Sequence, residues 1–209
     1  MNCSEHVYLT IRPAREEDAP RLLEIYRPYV EHTAITFEYD TPTLEEFTSR
    51  IRQVKQKFPY LVAETADGII GYAYAHPFHE RAAYGWSAET SIYIDQTLCR
   101  SGIGGLLYRV LEELIASQNV LNLNACVAVP EADDPYLTDN SFNFHRHVGY
   151  QVVGTFHKCG YKFDRWYNMV WLEKLIGTHE SGQAAVIPFP EIEAKTGLPY
   201  LYDSSLKRL

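Results

Sequence analysis

Runs of basic residues are missing from this chain of 209 residues. Its formal charge is -8, and its lysines and arginines are scattered, so nothing in it neutralises a line of phosphates as duplex binding requires. Nucleic acid is therefore not an expected partner. Cysteine is sparse. Cys3, Cys99, Cys126 and Cys159 never fall in a C-x-x-C pair, which gives neither a zinc-ribbon spacing nor a disulfide framework and leaves them read as reduced thiols. Long apolar runs are also absent. The opening "MNCSEHVYLT" has no basic start followed by an apolar block, and no segment approaches the roughly 20 apolar residues that span a bilayer. A soluble, cytoplasmic protein without a membrane partner follows by default, with one domain as the expectation. Neither internal repeats nor low-complexity segments occur.

What is present reads as alternating strands and helices. "VYLTIRPA" alternates apolar and polar residues as a strand does, and "REEDAPRLLEIYRPYVEH" follows with helical spacing from Leu22 to Val30. "TPTLEEFTSRIRQVKQKF" places a Thr and a Pro before an acidic first turn, which predicts a helix with Leu44, Phe47, Ile51 and Val54 on one face. "YLVAET" and "GIIGYAYAHPF" are β-rich runs whose Asp67-Gly68 junction predicts an antiparallel hairpin. "AETSIYID" is a further strand, "LNLNACVAV" another, "NSFNFHRHVGY" a short helix closed by Gly149, and "QVVGTFHKCGYKFDRWYNMVWLEKL" two more strands with a turn near residues 160–164. After residue 176 the composition changes. Residues 177–209 lack periodicity but keep Val186, Ile187, Phe189, Leu198, Tyr200 and Leu201, so this extension is expected to pack on the 1–176 domain or on a partner subunit.

The segment "CRSGIGGLLYRVLEELIASQ" puts three glycines ahead of an unbroken helical stripe of Ile103, Leu106, Leu107, Val110, Leu111, Leu114 and Ile115. At a helix start the first N–H groups lack partners and the macrodipole is positive, so a glycine-rich turn lets an anion's oxygens approach bare backbone. A nucleotide P-loop needs Lys-Ser/Thr where Leu106-Leu107 stand, and the dinucleotide fingerprint needs a small residue where Leu107 stands.

In order, "WSAETSIYID", "CRSGIGGLLY", "VAV" and "NSFNFHRHVGY" resemble the motifs of the GNAT superfamily of acyl-CoA N-acyltransferases. "FPYLVAE", "GYAYAHPF" and "RAAYGW" are similar to its phosphinothricin acetyltransferase branch. The likeness runs from about Tyr8 to Leu175. It implies an α/β (α+β) fold with a mixed, mostly antiparallel central sheet flanked by helices, acetyl-CoA as cosubstrate, and a homodimer. The family's pyrophosphate motif Q/R-x-x-G-x-G/A falls on residues 99–104. The resemblance thus assigns Arg100, Ser101, Gly102, Ile103, Gly104 and Gly105 to the cofactor, with the backbone of Ile92, Tyr93 and Ile94 polarising the thioester and Ser141 nearby. Cys99 stands where the motif has Gln or Arg, and Thr138 where the branch has Asn. The missing polar contact is left absent or to Arg100.

Acetyl transfer to an amine needs a base and a polarising donor. Alternation in "AETSIYID" puts Glu89, Ser91 and Tyr93 on one face, and Glu89 matches the branch's general base; a partly desolvated carboxylate there gains affinity for the proton. His145 matches a branch histidine near the thiol end. Arg81 matches a basic residue suited to a carboxylate, and Phe37 and Tyr93 are further candidates for the substrate, with Tyr74, Phe78, Tyr84 and Trp86 as possible walls. An amino-acid-like small amine is the implied acceptor. His145 with His147, or His76 with His79, lacks a carboxylate or thiol at ligand spacing, so no metal is expected. Two alternatives stay open: acetylation of a protein N-terminus or lysine, and a non-catalytic acyl-CoA-binding module.

Overall fold

The computed structural model describes residues 8–98 and 102–203. Eight strands form one sheet: β1 (Tyr8–Pro13), β2 (Tyr60–Thr65), β3 (Gly68–Pro77), β4 (Ser87–Ile94), β5 (Asn122–Val129), β6 (Gln151–Lys162), β7 (Arg165–Leu175) and β8 (Tyr200–Asp203). The helices are α1 (Ala19–His32), α2 (Leu44–Lys55), α3 (Ile103–Ser117), α4 (Asn140–His147) and α5 (Phe189–Glu193). The strand order is β6-β7-β5-β4-β3-β2-β1-β8. Only β4 and β5 are parallel neighbours; all other described pairs are antiparallel. This is the mixed, mostly antiparallel α/β architecture expected from the sequence.

Two apolar layers cover the sheet. α3 presents Leu107, Val110, Leu111, Leu114 and Ile115 to Leu61, Ala73, Ala88 and Leu123, as a 3.6-residue stripe must against a pleated face. On the other face α1 and α2 lay Leu22, Ile25, Tyr26, Phe47 and Ile51 on Tyr60, Val62 and Tyr72. α2 starts later than the Thr-Pro pair suggests. Thr43 is its N-cap, with Thr43 Oγ1 accepting from the Glu46 N–H at 3.2 Å and Glu46 Oε2 accepting from the Thr43 N–H at 2.8 Å, a reciprocal capping box. Leu44 therefore falls in the first turn and is exposed, outside the apolar face assigned to it from sequence. The β2–β3 hairpin is also displaced by one residue: Gly68 pairs with Thr65, so Ala66-Asp67 make the loop, and Gly68 (φ +117°) takes the backbone shape that a side chain would strain.

The β6–β7 turn lies at Phe163 and Asp164, both at positive φ, within the predicted window. β8 had no counterpart in the sequence reading. It joins the sheet edge beside β1, with Leu9 opposite Tyr202 and Ile11 opposite Tyr200. Between β7 and β8, Phe189 is fully buried in the α3 core, and the Trp86 indole N–H donates to Ala184 O at 2.7 Å. No helix among the described residues is long and apolar enough to cross a membrane.

Candidate active site

β4 reads SAETSIYI. Ala88, Ile92 and Ile94 pack on the α3 side and Tyr93 on the α1–α2 side, so alternation sets Glu89 and Ser91 beside Tyr93, as the sequence pattern predicts. β4 pairs with β5 only at Ser87↔Asn122, Ala88↔Leu123 and Glu89↔Asn124, although both strands run on to Ile94 and Val129. Beyond Glu89 the two strands part, and a cleft lined by Thr90, Ile92, Tyr93, Cys126, Ser141 and His145 lies between them. Thr90 closes the ladder. Its Oγ1 donates to the Asn124 carbonyl at 3.2 Å and lies 3.0 Å from the Tyr150 hydroxyl, so a side chain takes the carbonyl where the next ladder bond would form.

The direction of the β4 backbone follows from its ends. Ser87 O accepts from the Phe78 N–H and the Asp95 N–H donates to Ile70 O, so odd-numbered residues of this strand face β3 and even-numbered ones face β5. Of the three residues expected to polarise a thioester, Ile92 and Ile94 turn their N–H groups to the cleft; the Tyr93 N–H turns to β3. The Ile94 carbonyl is taken by the Tyr29 hydroxyl at 2.6 Å.

α3 enters this region from its N-terminus. Gly102 is its N-cap in a left-handed conformation (φ +83°), a position that favours glycine. The other two glycines have different reasons. A Cβ on Gly105 would meet nothing within 4 Å, leaving its backbone open to a guest, whereas one on Gly104 would lie 3.2 Å from Phe144 Cε2 and 3.4 Å from Ile92 Cδ1. Gly104 thus lets α4 and β4 close on α3, and half-buried Ile103 packs on the same core. Cys99, Arg100 and Ser101 lie outside the described residues.

Glu89 stands at the apex where the ladder ends. Its side chain is 21 % exposed, with Oε2 3.9 Å from His76 Nε2 on β3. Burial raises its carboxyl above the ordinary glutamate range, and the charge of His76 opposes that shift. His76 Nδ1 lies 3.1 Å from Pro77 O; a carbonyl only accepts, so Nδ1 carries the hydrogen and Nε2 is the nitrogen turned to Glu89. β3 places His76, Tyr74 and Tyr72 directly opposite Glu89, Ser91 and Tyr93.

His145 is buried at 4 % exposure, with Nδ1 2.8 Å from Ser141 O and Nε2 2.9 Å from the Tyr108 hydroxyl. The Ser141 carbonyl fixes the hydrogen on Nδ1, so in the neutral ring Tyr108 donates to Nε2. Burial lowers the His145 pKa, against the hydrogen bond to Ser141. With its hydroxyl hydrogen given to His145, Tyr108 packs against Thr90 Oγ1 at 3.3 Å without a hydrogen of its own to offer. His145 thus supports Thr90, at the ladder's last rung, through the packing of Tyr108. Tyr108 was not singled out from sequence: it stands next to Leu107 on α3 and no spacing rule marks its hydroxyl.

The three substrate candidates are dispersed. Phe37, in the α1–α2 connection, packs so tightly on β6 that a Cβ on Gly160 would fall 1.9 Å from Phe37 Cε2. Arg81 lies in the exposed β3–β4 connection. Tyr93 is edge-on to Tyr26 and Tyr29, at 4.8 and 5.2 Å between centroids. Trp86, a candidate wall, turns its indole to the extension instead. Lys162 was not foreseen: its buried ammonium donates to Val30 O, Thr33 O and Thr36 O at 2.7, 2.9 and 2.8 Å, fastening the connection that carries Phe37 and Glu38.

Residues 11–171 match the acetyltransferase (GNAT) domain family. A phosphinothricin N-acetyltransferase of Streptomyces coelicolor is 32% identical over 168 residues, covering 78% of this chain and 94% of that protein. Among solved structures, a GNAT superfamily phosphinothricin acetyltransferase from Sinorhizobium meliloti in complex with AcCoA superposes with a TM-score of 0.76 at 26% identity, covering 87% of this chain and 98% of that one. A ribosomal-protein-alanine N-acetyltransferase from Brucella melitensis gives 0.73 at 31% identity, covering 79% and 98%. The chain belongs to the GNAT acetyltransferase family.

Proposed function

We propose that this protein transfers the acetyl group of acetyl-CoA to the primary amine of a small amino-acid-like molecule by direct attack. One observation carries the reading: a desolvated carboxylate, Glu89, stands where β4 and β5 part, at the head of a cleft toward which the Ile92 and Ile94 N–H groups point. Bound acetyl-CoA supplies an activated thioester. The pantetheine arm would lie along the opening between β4 and β5, and the backbone of Gly102 and Gly105 at the start of α3 would face the pyrophosphate; Arg100 and Ser101 are proposed as further contacts to it. Ser141 borders the same cleft.

Glu89 takes a proton from the acceptor's ammonium, directly or through a water, and so frees the nitrogen lone pair. The Ile92 N–H, already aimed into the cleft, stabilises the oxygen on which charge gathers. The C–N bond forms, the C–S bond breaks, and the nitrogen's second proton passes to the departing thiolate, whose ordinary pKa lets it leave readily. Cys126, which also lines the cleft, is held as an unreactive thiol, since burial pushes it up to about 12; this favours transfer straight to the amine over an acyl-cysteine relay. With both ring nitrogens engaged, His145 acts through Tyr108 and Thr90 on the shape of the cleft. Arg81 and Phe37 are kept as proposed acceptor contacts on the strength of the family likeness alone.

Likeness to the Brucella melitensis chain favours a second reading, acetylation of a protein N-terminus. A panel of amino acids and analogues separates the two: with acetyl-CoA, free amines should release thiol and gain about 42 Da, an acetyl group less the hydrogen it replaces. Release only with peptides would favour the second reading, and none with any amine would refute both.

We further infer a catalytic unit at residues 1–176 with residues 177–209 as an extension on it, supported by a family match that ends at residue 171. Exposed Val153, Phe156 and Trp166 on the β6–β7 hairpin support a homodimer; Trp166→Lys should lower the mass seen in sedimentation if that face is covered. Free thiols at Cys126 and Cys159 support a reducing, cytoplasmic setting.

A further inference from the structure

A cavity of about 210 Å³ lies between the sheet and the α1–α2 layer, on the face that carries Glu89. Its floor is the β3–β4 ladder, where the pairs His76/Glu89, Tyr74/Ser91 and Tyr72/Tyr93 succeed one another. Its walls are Tyr26, Phe47 and Tyr60, and Glu38 and Arg50 border it. Two residues along a strand advance roughly 6.8 Å, so this floor leads away from the carboxylate along a row of phenol rings.

The Glu38–Arg50 pair is incompletely satisfied. Arg50 Nη1 donates to Glu38 Oε1 at 2.6 Å, while Glu38 Oε2 is buried without a hydrogen-bond partner among the described residues. A buried carboxylate oxygen without a donor is costly unless something supplies one. The guanidinium has five N–H donors, and this contact uses one of them. Tyr74 links the two ends. Burial raises its phenol against a hydrogen bond to Ser91, and the charges of Glu89, Arg50 and Glu38 all reach it.

We propose that this cavity holds the side chain of the acceptor amine, and that Glu38 and Arg50 are specificity-determining residues that read its end. The amine nitrogen sits at Glu89, and a short apolar stem lies against Tyr74. The end of the side chain donates to Glu38 Oε2 and accepts from Arg50. A neutral group with an N–H and an acceptor oxygen side by side, as in a carboxamide, meets both needs. A carboxylate there faces Glu38, an ammonium faces Arg50, and an alkyl end leaves Glu38 Oε2 unpaired. The space suits it, since about seven water volumes hold a side chain of five heavy atoms.

This rests on the acetyltransferase reading only for the position of the amine, so the test has a binding arm that needs no turnover. The Glu89→Gln protein, saturated with coenzyme A, is titrated calorimetrically with L-glutamine, L-glutamate, L-leucine and glycine, alone and with Glu38→Gln or Arg50→Met added; thermal melts confirm folding. L-Glutamine should bind at least about tenfold tighter than the other three, and either second substitution should remove about tenfold of that, the scale of a lost hydrogen bond to a charged group, with glycine unaffected. In active protein, kcat/KM should follow the same order. Equal affinities for the four amino acids, no L-glutamine binding, or a preference that survives both substitutions would overturn the proposal. Selective binding without acetyl transfer would uphold the site and refute the acetyltransferase reading instead.

Discussion

Lys162→Met removes an ammonium that joins the β6–β7 hairpin to the end of α1. In the native protein Nζ donates to three carbonyls, Val30, Thr33 and Thr36, at 2.7–2.9 Å, and the residue is 3 % exposed. Methionine fills nearly the same space but donates nothing. The Val30 carbonyl belongs to the last turn of α1, where no intrahelical partner exists. At about 1 kcal/mol per carbonyl left without its partner, the loss is about 3 kcal/mol, partly offset because an ammonium no longer has to be desolvated. For a chain of this size that is a fall in Tm of roughly 6–12 °C. Urea denaturation followed by circular dichroism should report it as a lower midpoint with an unchanged slope. Because Glu38 follows Thr36 in the fastened segment, KM for the amine should rise while acetyl-CoA affinity holds. Burial lowers the Lys162 pKa, with Glu38 opposing, so the native state holds this proton less tightly than the unfolded chain. The advantage of wild type over Lys162→Met should therefore widen as pH climbs from the depressed native value to about 10.4. A loss under about 1 kcal/mol, or equal falls in affinity for both substrates, would refute the clamp.

Other substitutions probe separate parts. Thr90→Val keeps the shape but deprives Asn124 O and the Tyr150 hydroxyl of their partner; a loss of about 1–3 kcal/mol in urea denaturation is expected, with recovery in Thr90→Ser. Phe189→Ala empties a fully buried site in the extension and should cost about 3–5 kcal/mol, read as a lower Tm; an unchanged Tm would mean that this segment adds no stability. Glu89 has a raised pKa in the fold because of burial, so its contribution to stability is complete below the unfolded value of about 4.3 and is lost as pH rises through the native one. Glu89→Gln should therefore melt higher than wild type at neutral pH, and the difference should vanish below about pH 4.

Much of this molecule is legible along the chain because one period decides each element. The even and odd residues of β4 separate without error, since a strand buried on both faces still alternates, and α3 announces itself through seven apolar residues at helical spacing. What stayed hidden depends on partners far away in sequence. Lys162 reads as a solvated strand residue until the end of α1, 126 to 132 positions away, arrives at its ammonium. Tyr108 stands unmarked beside Leu107 until His145 and Thr90 meet its hydroxyl. Glu38 and Arg50 are an irregular segment and a helix surface by composition, and only folding lays both beside the tyrosines of β3. Tyr200–Asp203 is too short for a period to show, and it becomes a strand because the edge of β1 is open to it. The glycine cluster was legible as a helix entry, but Gly104 serves the packing of Phe144 as well, a steric reason no spacing rule contains.

Glu89 is the proposed base for acetyl transfer at the head of the β4–β5 cleft, and its titration should govern turnover. The most direct measurement is the pH dependence of kcat/KM for the best amine of the panel, in wild type and Glu89→Gln, with acetyl-CoA binding measured alongside. Wild type should rise through a pKa above the ordinary glutamate range, and the variant should fall by about 10²-fold or more while binding acetyl-CoA as well as wild type does. Undiminished turnover in Glu89→Gln, or a fall traced wholly to lost acetyl-CoA binding, would contradict it.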